Sequence, residues 1–195
     1  MKRSFVFGNG RTRLNIDFDE VKPYGAIYAC NAVYRDYRPD YLVAVDTKMV
    51  EEINQAGYQK NSSVWTNYNI KYKNFEKFNY FEPNLGWSSG PTALNLATSH
   101  DPHEVYIFGF DYSGLNGKLN NVYANTFNYK NSKDPATYNG NWLKQTETII
   151  KTNPNINYFR VNVENFYETN WKYPNYKSVL FKDFKDLIKD WEKIR

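Results

Sequence analysis

Cysteine occurs once in this chain, at Cys30, which excludes an internal disulfide and fits a reducing, cytoplasmic setting. A single thiol closing an apolar run is expected to be a small buried hydrophobe rather than a nucleophile. Histidine occurs twice, as His100 and His103, and no Cys/His cluster has metal-ligand spacing. There is no Walker sequence and no Gly-x-Ser-x-Gly elbow. The formal net charge of +4 leaves no broad basic face, so general nucleic-acid binding is not expected. No apolar run approaches the roughly 18 residues of a membrane span. The apolar part of the opening "MKRSFVF" is too short for a signal peptide.

Asn, Tyr, Lys and Phe are abundant, with 18 tyrosines and 13 phenylalanines. Their codons are AT-rich, so the bias points to an AT-rich genome, such as a viral one, before it points to any chemistry. A phage source would place the protein in the host cytoplasm or in the virion.

A length of 195 residues suits one domain with a sizeable core. Five apolar runs have the character of buried strands: "SFVF" from Ser4, "AIYAC" from Ala26, "YLVAV" from Tyr41, "EVYIFGF" from Glu104 and "INYFRV" from Ile156. A sixth is "SVW" near Val64. Helical patterns lie between them. "TKMVEEINQAG" closes on Gly57 as a C-cap glycine. "PTALNLATS" opens on Pro91 at a first helical position, and "NWLKQTETIIK" stops before Pro154. The last segment sets Phe181, Phe184, Leu187, Ile188, Trp191 and Ile194 at helical spacing, with Lys and Asp filling the other face. Strands alternating with helices predict a single α/β, Rossmann-like domain over residues 1–195, with a mostly parallel sheet and flanking helices. Two stretches break the rhythm. Residues 67–87 are aromatic and basic without a clean period. Residues 113–140 are long, polar and rich in Asn and Gly, as expected of a small loop-rich lid.

In an open parallel sheet, ligands sit beyond the carboxyl ends of the strands. The first strand ends in Gly8-Asn9-Gly10, the second in Asn31, the third in Asp46, and the long run from Glu104 in Asp111-Tyr112. "WSSGPTAL" adds Ser88, Ser89 and Gly90 just before a helix. Unpaired amides and partial positive charge at that helix start suit a phosphate. Gly8 and Gly10 are expected to permit a bend forbidden to other residues and to bring more amides to the same anion. Asn9 and Asn31, donor and acceptor at once, suit ribose hydroxyls or a base edge. The third glycine of a dinucleotide fingerprint is missing, because Arg13 stands there. His100 and His103 fall on the opposite edge of the sheet. "DFDE" at positions 17–20 imitates an Asp-x-Asp metal motif but lies in a polar connection, where a surface turn is expected. No metal site is expected.

Taken in order, "FGNGRTR", "YACN", "WSSGPTALNLA" and "EVYIFGFDYSG" resemble the bacterial sialyltransferases of glycosyltransferase family 42, over roughly residues 4–115. They are also similar to a wider group of small Rossmann-like proteins with the Gly-Asn-Gly start, among them relatives of archaeal pterin diphosphokinase. The whole chain is similar to uncharacterised proteins of marine phages. The sialyltransferase resemblance implies binding of a CMP-sugar without a metal or other cofactor, through Asn9, Asn31, Ser89 and Gly90. In that family a histidine is the general base and tyrosines steady the departing phosphate. This chain has no histidine after His103, and "FDYSG" places Tyr112 one residue early, with Ser113 at the expected tyrosine position. Tyr123, Tyr129 and Tyr138 are the candidates to replace the phosphate contacts, on a lid reduced in size.

The expected function is thus a nucleotide-sugar glycosyltransferase, transferring from a CMP-linked or similar donor to a hydroxyl on a glycan or small molecule. Asp46 or Asp111 would serve as base in place of the histidine. Two other readings stay open. One is a non-catalytic binding or virion structural module on the same fold, with a virion partner or a second copy of the chain. The other is a pterin diphosphokinase-like phosphoryl transfer, with Asp46 and Asp111 as magnesium ligands.

Overall fold

The computed structural model describes residues 1–138 and 140–194; Asn139, within the expected lid, and Arg195 lie outside the described residues. Among the described residues, eight strands form one sheet. They are β1 (Arg3–Phe7), β2 (Ala26–Cys30), β3 (Tyr41–Val43), β4 (Val64–Asn67), β5 (Phe78–Phe81), β6 (Glu104–Phe108), β7 (Asn157–Asn162) and β8 (Tyr176–Leu180). Their order is β5-β4-β3-β2-β1-β6-β7-β8, and every neighbouring pair is parallel. The helices are α1 (Phe18–Val21), α2 (Thr47–Ala56), α3 (Ser89–Ser99), α4 (Gly140–Thr152) and α5 (Phe181–Leu187), joined by short 3-10 turns. None is long and apolar enough to cross a membrane. This is a Rossmann-like α/β architecture.

Parallel strands covered on both faces need apolar side chains on both, which is why the strand runs show no polar alternation. Phe5 and Phe7 of β1 enter one layer with Ile27, Leu42, Tyr106 and Phe108, beneath Val50 and Ile53 of α2 and Phe184 of α5. Val6 enters the other with Val43, Val105 and Ile107, against Leu94 of α3 and Ile150 of α4. Within the first layer, rings stack across strands: Phe7 lies 4.7 Å from Phe108, and Tyr106 lies 4.8 Å from Phe159.

The chain winds outward from β1 to β5, then returns under the sheet through α3 to β6, beside β1, and winds outward the other way. The reversal between β1 and β6 is the crevice where such sheets hold ligands.

Local chemistry sets the element ends. Gly57 adopts φ 66 and closes α2, its amide donating to the Asn54 carbonyl. Asp17 is the N-cap of α1: it accepts from the Asp19 amide while Glu20 reaches back to the Asp17 amide. The "DFDE" run is therefore a helix start. Helix α3 begins two residues before Pro91, which falls in the first turn, where a missing amide costs no helical bond.

Three expectations need correction. The region 67–87 contains β5, and β8 was not evident in the sequence; both are edge strands. The C-terminal helix stops at Leu187. After a 3-10 turn, Trp191 is extended, its ring 5.1 Å from Tyr106 and 3.9 Å from the Arg3 guanidinium.

Candidate functional site

A cavity of about 450 Å³ opens at the carboxyl edge of the sheet, a size that suits a small-molecule ligand. Its wall includes Gly8, Asn9 and Gly10, Asn31, Asp46, Ser88, Ser89 and Gly90, and Asp111 and Tyr112. Asn128, Tyr129 and Lys130 line it from the 113–138 stretch, and Phe110 and Trp142 add further aromatic surface. Tyr123 is not part of the lining.

The two glycines after β1 are required for a reason other than the expected one. Gly10 has ordinary backbone angles, φ −64 and ψ 146. The Gly8 and Gly10 amides donate to the carbonyls of Phe108 and Gly109 at 2.8 and 2.9 Å, so they are not directed at an anion. What excludes side chains is proximity. A Cβ on Gly8 would lie 2.7 Å from the Gly109 carbonyl oxygen, and one on Gly10 would lie 2.3 Å from the Asp111 carboxyl carbon. Gly109, on the facing turn, supplies the left-handed conformation, φ 66.

Asp111 pins this crossing. Only 5% exposed, it accepts from the Thr12 amide at 3.2 Å, from the Thr12 hydroxyl and, at 2.8 Å, from the Asn120 carboxamide. Asn120 also accepts from the Arg11 amide at 2.9 Å, and Val122 donates to the Asn9 carbonyl at 2.8 Å, so the 113–138 stretch is fastened to the β1 turn. Arg13, the residue that breaks the dinucleotide fingerprint, is buried here. It donates to Asn9 Oδ1 at 3.1 Å and to the Tyr123 hydroxyl at 2.9 Å. Asn9 in turn donates to the Cys30 carbonyl at 3.4 Å. Tyr123 is thus a strut inside the fold. Nothing in the local sequence around Arg13 marks it for this task.

The start of α3 differs. Ser88 donates its amide to Gln145 of α4, and Ser89 Oγ accepts from the Val45 amide. The N-cap side chain makes no bond to the first turn of this 11-residue helix, so the Ser89 and Gly90 amides stand at the cavity wall uncapped. Asn31 adopts φ 55 and leaves its buried Oδ1 without a partner. Tyr112, also left-handed at φ 50, is 5% exposed, its hydroxyl beside Thr146 without a well-formed hydrogen bond. Burial, outweighing Thr146 and Arg160, pushes the Tyr112 phenol far up, so it stays a donor at neutral pH.

Tyr129 accepts from the Ala32 amide at 3.4 Å, and burial raises it too. Asp46 is exposed at the N-cap of α2 and makes no capping bond there. Lys130, also exposed, is the one cation lining the cavity among the described residues. Cys30 is pushed up to about 12 by burial, which leaves it a thiol. Away from the cavity, His100 Nδ1 pairs with the Tyr28 hydroxyl at 2.6 Å and His103 Nδ1 accepts from the Lys2 amide. Among the described residues no group of three or more His, Cys, Asp and Glu is placed to hold a metal ion.

The fold resembles that of a sialyltransferase. The chain superimposes on CstII from Campylobacter jejuni, solved in complex with a substrate analogue, cytidine-5'-monophosphate, with a TM-score of 0.56. The match covers 85% of this chain and 82% of that chain at 16% sequence identity, so the likeness is one of fold. No family model matches the sequence, and no curated protein matches it.

Proposed function

We propose that the chain binds a cytidine nucleotide, carried as a CMP-sugar, and transfers the sugar to a hydroxyl acceptor. One observation carries this reading. Turns remote in sequence, Gly8-Asn9-Gly10, Asn31 and Ser88-Ser89-Gly90, line one cavity at the reversal of a sheet whose fold is shared with a CMP-bound sialyltransferase.

In this reading the phosphate lies on the Ser89 and Gly90 amides, where the helix dipole and two uncapped donors favour an anion. Tyr112 packs behind that wall, and Tyr129 and Lys130 close over the charge from the lid. Asn31 Oδ1 takes a hydrogen bond from the nucleoside, and Asn9, locked by Arg13, shapes the floor beneath it. Charge that builds on the departing phosphate is met by fixed dipoles that need no reorganisation. Of the two carboxylates, Asp46 is the base: it is open to the cavity, whereas both oxygens of Asp111 already accept hydrogen bonds. Asp111 holds the turn in register.

Calorimetry with CMP tests the binding half. Wild-type protein is expected to bind, and Asn31→Ala is expected to weaken binding roughly tenfold by removing a buried acceptor. No heat with CMP or a CMP-sugar would overturn the assignment. CMP binding without any release of sugar from a CMP-sugar would leave a binding module in place of an enzyme.

A further inference from the structure

Deep in β7 lies a charge that the proposed chemistry does not use. Arg160 is 2% exposed and is among the largest fully buried side chains of the protein. A buried cation ordinarily sits against a carboxylate. Here the partner, Glu168, is 3.8 Å away and 51% exposed. The guanidinium instead donates through Nε to the Phe110 carbonyl at 2.9 Å and through Nη1 to the Tyr167 carbonyl at 2.8 Å. Nη2 has no acceptor in hydrogen-bonding geometry. The guanidinium carbon lies 5.3 Å from the centre of the Tyr112 ring.

These contacts lead to the wall of the cavity. The ring of Phe110, whose carbonyl Arg160 grips, lies against the first turn of α3: a Cβ on Gly90 would touch it at 3.5 Å. Two residues on, Tyr112 holds a left-handed conformation that is unfavourable for a non-glycine residue, so something must hold it. The Arg160 guanidinium beside its ring is one such restraint. In a low-dielectric interior, a cation this poorly neutralised also projects potential farther than it would in water.

We propose that Arg160 is a positioning residue for an anion subsite at the start of α3. It fixes the Phe110 carbonyl and the Tyr112 ring at the wall they share with Ser89 and Gly90, and its uncompensated charge favours a phosphate there. The inference rests on the nucleotide reading above, and it concerns the phosphate alone.

The test compares CMP with cytidine, by calorimetry on the full chain. Arg160→Met is expected to weaken CMP roughly tenfold and cytidine less than about twofold, because only the phosphate senses the lost charge. A purely structural role would weaken both together, and that outcome overturns the proposal. Glu168→Gln, a change at a half-exposed surface residue, removes the weak neutralising partner. It is expected to tighten CMP about twofold with cytidine unchanged, and it decides alone if Arg160→Met does not fold. No change in the CMP-to-cytidine ratio in the folded variants overturns the proposal. So does a wild-type protein that binds cytidine as tightly as CMP. Binding of neither would instead remove the nucleotide reading, and this inference with it.

Discussion

At the scale of single residues, Gly10 and Gly90 make a natural contrast, since both line the cavity and only one is held by contact with backbone and a buried carboxylate. A methyl at Gly10 must enter the space of the Asp111 carboxyl, at 2.3 Å, and of the Gly109 carbonyl, at 2.6 Å. Gly10→Ala is expected to destabilise the protein by about 1–3 kcal/mol in urea unfolding. Gly90→Ala meets only the edge of Phe110 at ordinary contact distance and should cost less than about 1 kcal/mol. Equal losses would contradict this account of the glycines. At Asp46, Asp46→Asn is expected to slow sugar transfer by about 10²–10⁴ while leaving CMP affinity unchanged. A matching loss of CMP affinity would show that Asp46 binds rather than reacts. The glycines were legible as a tight place, but not the cause of the tightness. The constraint comes from the turn after β6, about a hundred residues away, and no local pattern carries it. Arg13 shows the same limit: from the sequence it was only the absence of a third glycine, and in the fold it holds Asn9 and Tyr123.

Elements packed on both faces announce themselves, and elements at the margins do not. "SFVF", "AIYAC" and "EVYIF" are apolar throughout because β1, β2 and β6 are covered on both sides. β5 and β8 lie at the edges, where Asn79, Lys177 and Ser178 are exposed, and no apolar run remains to be read. Beyond Leu187 the helical spacing misleads, because Trp191 reaches the core from an extended segment. The 113–138 stretch was legible as a long loop, but its fastening was not. Its tip is held by a clasp in which Glu52 accepts from Arg35 Nε and Nη2, from the Tyr34 hydroxyl at 2.5 Å and from Asn128 at 2.8 Å. Arg35 reaches on to Thr126 and Phe127. Burial alone would push Glu52 up; the hydrogen bonds from Tyr34, Arg35 and Asn128 outweigh it and hold the carboxyl below its ordinary value. A carboxyl depressed on folding contributes stability above its unfolded pKa, ~4.3, and loses that contribution as pH falls through the lower folded value. Thermal melts of wild type and Glu52→Gln should therefore differ by a constant amount above about pH 5 and converge toward pH 3. Curves that stay parallel through that range would contradict the clasp.

Over the whole molecule, the fold class was the most legible feature, because alternating strands and helices leave few ways to cover a parallel sheet. The rule that ligands gather at carboxyl ends then picked out part of the cavity wall, namely Gly8 to Gly10, Asn31, Asp46, Ser88 to Gly90, Asp111 and Tyr112. What it could not supply was Trp142 of α4, or Lys130 and the other contacts of residues 113–138, whose positions depend on how an irregular stretch folds back over the site. If the cavity is the binding site, ligand and folding are linked: CMP at 100 times its dissociation constant should add ~2.7 kcal/mol and raise the melting temperature by roughly 5–10 °C. Cytidine at equal concentration should raise it less, since it lacks the anion. The most direct measurement is a crystal structure of the chain grown with CMP. The account predicts phosphate density on the Ser89 and Gly90 amides, with the nucleoside beside Asn9 and Asn31. CMP seated elsewhere, or a cavity left empty at saturating CMP, would contradict it.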